Sequence, residues 1–318
     1  MVRGDIWTRK VAVIGCGFVG AACVFSIMQS GLVSELVLID VDADRAAGEA
    51  LDIGHGVPFA KPLKIYAGGY DDLRDASLVV ITAGAARITN ESRLDLTKKN
   101  IAIFNTIIPG IMKSGFRGLL LIVTNPVDIL TKIALELSGL PAHMVLGSGT
   151  VLDSARLRYE LAGRFSVDVR DIDAFVVGEH GDSEVVTWSS ANIAGVPIKQ
   201  FCLSQNISDF ESFTEKVAET VRTSASEIIA KKRATYFGIA MAVKRICEAV
   251  IMDERSILPV SSALNGEYGI SGVALSIPTV VGKSGIESYI PSMLADDEIA
   301  KLQRSADVLR DILARNNN

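Results

Sequence analysis

The sequence predicts an α/β protein: a doubly wound parallel sheet followed by a mixed α+β lobe. Three observations predict it. Short, nearly continuous apolar runs recur through the first half, at Val11–Ile14, Leu36–Asp40, Lys64–Ala67, Leu78–Ala83 and Leu119–Val123, the pattern of strands covered on both faces. Stretches with helical spacing separate most of these runs, which calls for crossover connections and parallel pairing. The length of 318 residues exceeds what one ordinary core fills, so a second lobe is expected, with the boundary near residue 150.

Each element follows from its neighbours in turn. Gly17 to Ser30 repeats with helical period and stops at Gly31, a residue suited to ending a helix. Asp42 to His55 reads as an amphipathic helix. Between the fourth and fifth strands lie a polar stretch, Gly84 to Ser92, and a long helix from Leu94 to Met112 with Pro109 late in it, where a kink is expected. Val145–Leu146 is a short sixth strand. Beyond it the texture changes to shorter strands at Asp173–Val177, Thr187–Asn192, Ser256–Ser262 and Gly272–Ser276. Helices are expected at Phe210–Lys231 and Tyr236–Met252. A final one carries an apolar stripe of Ile299, Leu302, Ala306, Leu309 and Leu313.

Composition removes several function classes. Lysine and arginine number 32 against 37 acidic residues, a net charge of −5, and no basic stripe interleaved with aromatics is present, which argues against nucleic acid. Cys16, Cys23, Cys202 and Cys247 show neither disulfide nor metal spacing, so they read as reduced core residues of a cytoplasmic protein without a metal. The basic and then apolar start of the chain could pass for a signal peptide, but its glycines have a better explanation, and no stretch reads as a membrane span.

That explanation is Gly15-Cys16-Gly17-Phe18-Val19-Gly20, a GxGxxG between a strand and a helix. Gly15 permits the tight turn, Gly17 lets backbone amides approach a pyrophosphate, and Gly20 lets helix and strand pack closely. Asp40 ends the next strand twenty residues later, where a carboxylate takes ribose hydroxyls and repels a 2′-phosphate. Strand, glycines, helix, strand and acid make a Rossmann dinucleotide site of NAD type; FAD and SAM proteins share the frame, so the motif defines a ligand class and no reaction.

Three histidines are present. His55 and His143 read as a cap and a loop residue. His180, in Gly178-Glu179-His180-Gly181-Asp182-Ser183 after an apolar run, is equally well a packed or a catalytic histidine. Asp153 and Arg156 share one helix face, either as a surface pair or as an orienting carboxylate beside a carboxylate clamp. Thr124-Asn125-Pro126 leaves a strand at the edge where open sheets bind ligands, though a turn explains it as well. Gly84 to Arg93 reads as a mobile lid.

Taken together, the residues resemble the NAD-dependent L-lactate/L-malate dehydrogenase family over essentially the whole chain. The matching pieces are Gly15–Gly20, Asp40, Thr82-Ala83-Gly84, Glu91-Ser92-Arg93, Thr124–Asp128, Gly147–Thr150, Leu152–Arg156 and Gly178–Asp182. The segment around Trp188 and Ala191–Pro197 is similar to bacterial L-lactate dehydrogenases. The resemblance implies an NAD-binding domain over 1–149 and a substrate domain over 150–318, a small 2-keto acid as substrate, and a homotetramer, with a dimer as the alternative. It implies that Arg156 clamps the substrate carboxylate, His180 exchanges the proton, Asp153 holds the imidazole and Arg93 polarises the carbonyl. Asn125 would contact substrate or nicotinamide. Gly15, Gly17, Phe18, Val19, Gly20, Asp40, Thr82, Ala83, Gly84 and Ser148 would contact the cofactor.

Two positions depart from the lactate-type pattern. Six residues before Arg93, where lactate dehydrogenases carry glutamine, stands Arg87, the malate-type residue. An arginine facing pyruvate's methyl group in a closed site would be an unpaired buried charge, whereas oxaloacetate brings a second carboxylate to meet it. Thr235, in Ala234-Thr235-Tyr236-Phe237, resembles the lactate-type residue at the pocket wall. The expectation is dual use with oxaloacetate slightly ahead. The alternatives are a strict L-lactate dehydrogenase with Arg87 in solvent, and a 2-hydroxyisocaproate-type enzyme; a non-catalytic NAD sensor is disfavoured by His180, Asp153, Arg156 and Arg93 together. Many bacterial members also bind fructose 1,6-bisphosphate through an arginine and a histidine. Arg158 fits the first, but Asp173 stands at the second, which implies weak or absent activation.

Overall fold

The computed structural model describes residues 9–85, 93–290 and 294–316, with the side chains of Arg93 and Asn316 outside that description. The first half alternates β1 (Lys10–Ile14), α1 (Phe18–Ser30), β2 (Glu35–Ile39), α2 (Ala43–Gly54), β3 (Lys64–Ala67), β4 (Leu78–Ile81), α3 (Arg93–Lys113), β5 (Leu119–Ile122), α4 (Val127–Ser138) and β6 (Val145–Gly147). These strands lie parallel in the order β6-β5-β4-β1-β2-β3. The order reverses between β1 and β4, so the carboxyl ends of those two strands open a crevice.

The apolar runs form central strands because helices cover both faces. One core gathers Val11, Val13, Leu36, Leu38 and Leu121 with α1 and α2; the other gathers Ala12, Ile14, Val79, Ile81, Phe104 and Ile108 with α3 and α4. The strand at Lys64–Ala67 departs from the expected pattern. It is the outermost strand and none of its residues is buried, and its Lys64 reaches Glu35 on β2. A charged edge discourages pairing with another sheet. Helix α3 continues past Pro109 to Lys113.

The second half runs α5 (Val151–Phe165), β7 (Ile172–Asp173), β8 (Val176–Val177), β9 (Val185–Val186), β10 (Asn192–Ile193), β11 (Val196–Pro197), α6 (Ile198–Ser204), α7 (Phe210–Lys232), α8 (Phe237–Ile251), β12 (Ser256–Leu258), β13 (Ser261–Asn265), β14 (Ser271–Ser276), β15 (Thr279–Gly282), β16 (Gly285–Tyr289) and α9 (Asp296–Asn316). Strands β13 and β14 join the large sheet antiparallel beyond β6, completing eight strands, and α8 packs against α1.

Three strands expected here take another form. Thr187–Asn192 is mostly a turn, because Ser190 and Ala191 donate back to the Thr187 and Trp188 carbonyls while Glu298 of α9 captures the Ser189 N–H at 2.9 Å. Ser256–Ser262 divides at Pro259, which has no N–H for a ladder; the part before it pairs with β15 and the part after it with β14 and β6. Asp173–Val177 divides into β7 and β8, which belong to different sheets. Among the described residues no helix is long and apolar enough to cross a membrane.

Candidate active site

The crevice is a cavity of about 580 Å³, and the first-half residues lining it sit mostly where strands end. Gly17, Phe18, Val19 and Gly20 follow β1, Thr82 and Gly84 follow β4, and Thr124 and Asn125 follow β5; Ala234 and Thr235, between α7 and α8, line it from the second half. Gly15 has φ +100°, a conformation other residues rarely adopt. A Cβ on Gly20 would lie 1.8 Å from the Gly15 carbonyl oxygen, so only glycine lets α1 begin this close to β1. The N-terminus of α1 has no side-chain cap and no acid in its first turn, which leaves its N–H groups and partial positive charge for a phosphate. The glycine turn and the uncapped helix start thus suit the pyrophosphate of a dinucleotide.

The predicted cofactor residues distribute unevenly. Thr82 donates its hydroxyl to the Gly15 carbonyl at 2.7 Å and so braces the turn; the Ala83 N–H donates to Ile14 O at 2.9 Å. Asp40 accepts the Cys16 N–H at 2.5 Å and the Asp42 N–H at 3.0 Å, tying the second strand's carboxylate to the glycine turn. Phe18 is 74% exposed and stacks on Tyr236 with centroids 5.6 Å apart. Ser148, just past β6, is buried, donates its N–H to Ile122 O, and is not among the residues lining this crevice.

Sequence reasoning missed Asn100 of α3. Its side chain donates to the Asn125 carbonyl and accepts from the Ala85 N–H, both at 2.7 Å, so it ties the ends of β5 and β4 together. Arg45 and Glu49 also line the crevice and were not singled out.

A second cluster forms where α5 meets the loop after β8. Asp153 is 2% exposed. One of its oxygens lies 2.5 Å from His180 Nδ1 and the other accepts from Arg156 at 2.7 Å. The intrahelical pair expected at this spacing therefore forms, but buried and shared with the imidazole. Burial works against the ionised carboxyl, yet the His180 charge and hydrogen bond, with Arg156, hold Asp153 below the usual carboxylate range. Asp153 in turn lifts His180 against burial, to about 9, helped by Asp128 and opposed by Arg156.

Two further acids in this cluster carried no role in the sequence. Asp128, which opens α4, accepts the His180 backbone N–H at 2.8 Å and the Ser261 hydroxyl at 2.6 Å. Glu184 is pushed up to about 8, first by burial and then by Asp153. The His180 loop is also latched to α9, where Ser305 accepts the Glu179 N–H at 2.8 Å and meets the Ser183 hydroxyl at 2.9 Å.

The remaining candidates are quickly placed. Arg87 lies outside the described residues, and Arg93 opens α3 with its side chain outside the description. His55 caps α2 and His143 lies in a short 3₁₀ turn. Arg158 donates to the Ala174 carbonyl at 3.0 Å and lies over the Phe175 ring.

Comparison with known proteins finds relatives over essentially the whole chain. Residues 9–147 match the family model described as lactate/malate dehydrogenase, NAD binding domain, and residues 150–318 match its alpha/beta C-terminal domain. The L-lactate dehydrogenase of Acetivibrio thermocellus is 48% identical over 305 residues, 96% of each chain. Among solved structures, a lactate dehydrogenase from a Medee basin deep-sea metagenome library superposes with TM-score 0.95 at 42% identity, covering 98% of this chain and 100% of its own. The minor L-lactate dehydrogenase of Enterococcus mundtii in its ligands-bound form gives TM-score 0.94 at 39% identity, covering 97% and 98%.

Proposed function

Because the chain belongs to the lactate/malate dehydrogenase family and NAD is its cofactor, we propose that it reversibly reduces both pyruvate to L-lactate and oxaloacetate to L-malate. The observation that carries the reading is the bond between buried Asp153 and half-buried His180: the carboxylate takes Nδ1 and favours the cationic ring, leaving Nε2 for a substrate oxygen. NADH, when bound, supplies the hydride that the keto carbon receives. His180 donates its Nε2 proton to the keto oxygen during reduction and takes it back during oxidation. Asp153 keeps the ring in register and stabilises its charge. Arg156 holds the substrate carboxylate through the guanidinium edge that Asp153 leaves open. Arg93, at the start of α3, polarises the carbonyl, and charge-assisted bonds of this kind contribute about 1.5–3 kcal/mol each. Residues 1–149 hold the cofactor and 150–318 the substrate, in a homotetramer.

The substrate reading has three supports. Curated relatives with 44–49% identity are named L-lactate dehydrogenase, and Thr235 lines the crevice where a lactate-type wall belongs. Arg87 speaks for oxaloacetate by charge. A keto-acid panel followed at the NADH absorbance tests this, and oxaloacetate should match or slightly exceed pyruvate in kcat/KM. A value for oxaloacetate a hundredfold lower would leave a strict L-lactate dehydrogenase, and best use of 2-ketoisocaproate would favour the 2-hydroxyisocaproate reading. No turnover of any 2-keto acid would end the proposal.

A further inference from the structure

His180 is gripped from two sides. Asp153 of α5 takes the ring at Nδ1, and Asp128 of α4, 2% exposed, takes the backbone N–H of the same residue. The other Asp128 oxygen accepts the Ser261 hydroxyl from β13, so this one carboxylate ties together three segments. A neutral asparagine could satisfy both partners, with its oxygen accepting the N–H and its amide donating to the Ser261 oxygen. Burying a full charge where a neutral group would serve is expensive, so the charge itself has a use.

We infer that Asp128 is a positioning residue whose buried negative charge, aimed at His180 through its backbone N–H, helps the imidazole keep the proton it delivers to the substrate. Burial pushes the Asp128 carboxyl up to about 6, against the hydrogen bonds from Ser261 and His180; above that pH it is ionised and supports the imidazolium, and below it the support fades. Among the described residues, the charged groups acting on this centre include Asp153 and Arg156 from α5, Asp128 from α4, Glu179 and Glu184 from the loop of His180 itself, and Arg222 of α7, which acts on Glu184.

The inference rests on the reading of His180 as the proton donor, and the measurement that decides it is a titration made without turnover. The three histidines can be labelled selectively and their ring resonances titrated in the whole protein, His55→Asn and His143→Asn variants giving the assignment. Asp128→Asn should lower the His180 midpoint by about half a pH unit or more, and the pH above which pyruvate reduction falls should move down with it. A folded Asp128→Asn protein with an unmoved His180 midpoint overturns the inference. Should that variant not fold, the wild-type His180 backbone amide decides: a separate step near pH 6, from the carboxylate it touches, supports the inference, and an amide that follows the imidazole alone overturns it. A shifted midpoint in a protein that reduces no 2-keto acid would sink the functional reading and leave this one standing.

Discussion

The dinucleotide crevice and the His180 cluster face the same chemistry with different materials. Among the described residues, and apart from Arg45 and Glu49, the crevice is lined by glycines, small and apolar side chains and neutral polar groups, held by bonds such as Thr82 to the Gly15 carbonyl and Asn100 to Asn125. The His180 cluster crowds Asp128, Asp153, Arg156 and Glu184 around one imidazole, mostly out of water. A site made of backbone is sensitive to volume and nearly indifferent to pH. A site made of buried charges is sensitive to protonation, because each charge is tolerable only while its partners keep theirs.

The largest expected effect separates the two directly. His180→Asn should lower kcat/KM for pyruvate by about a thousandfold, the scale of a lost general acid, while NADH affinity from fluorescence titration stays as it was. Loss of NADH binding to the same degree would show that the regions are not independent. The pH profile comes next. His180 must carry its proton for reduction, and its midpoint is raised to about 9, so reduction should hold below that value and fall about tenfold per unit above it. Oxidation of the hydroxy acid needs the neutral ring and should rise with pH toward the same midpoint, whereas NADH affinity should stay flat from pH 6 to 8.

Smaller changes sharpen the contrast. Arg87→Gln should move preference toward pyruvate by at least tenfold, about 1.4 kcal/mol, and an unchanged kcat/KM ratio would remove Arg87 from substrate choice. Gly17 has nothing within 4 Å of where a Cβ would stand, so Gly17→Ala should leave the melting temperature within a degree or two yet weaken NADH binding about tenfold, since the methyl group occupies the pyrophosphate's approach. A large drop in melting temperature would place that glycine's role in folding instead.

These differences in material also explain what could be read from the chain alone. The first six strands and the glycine turn were legible because their determinants are local: apolar runs, a left-handed Gly15, a helix stop at Gly31. The pairing of Asp153 with Arg156 was legible as spacing, but its burial and its hold on His180 depend on a partner 27 residues away. Asp128 stands in a recognisable motif, but its role is not legible there, since its partners lie 52 and 133 residues along the chain. The misread strand at Thr187–Asn192 has the same cause, a carboxylate at Glu298 109 residues later that claims the Ser189 N–H. Lys64–Ala67 looked central because periodicity cannot tell which strand ends up last in the sheet.

Strands β13 and β14 belong by sequence to the second half and by hydrogen bonding to the first. The two halves are therefore spliced rather than hinged: a clamshell rotation of one against the other would have to break the ladder where Ser261 meets Gly147. A fragment ending near residue 150 would expose the flank of β6, a raw parallel edge of Val145 and Leu146, and should cling to other chains instead of standing as an independent module.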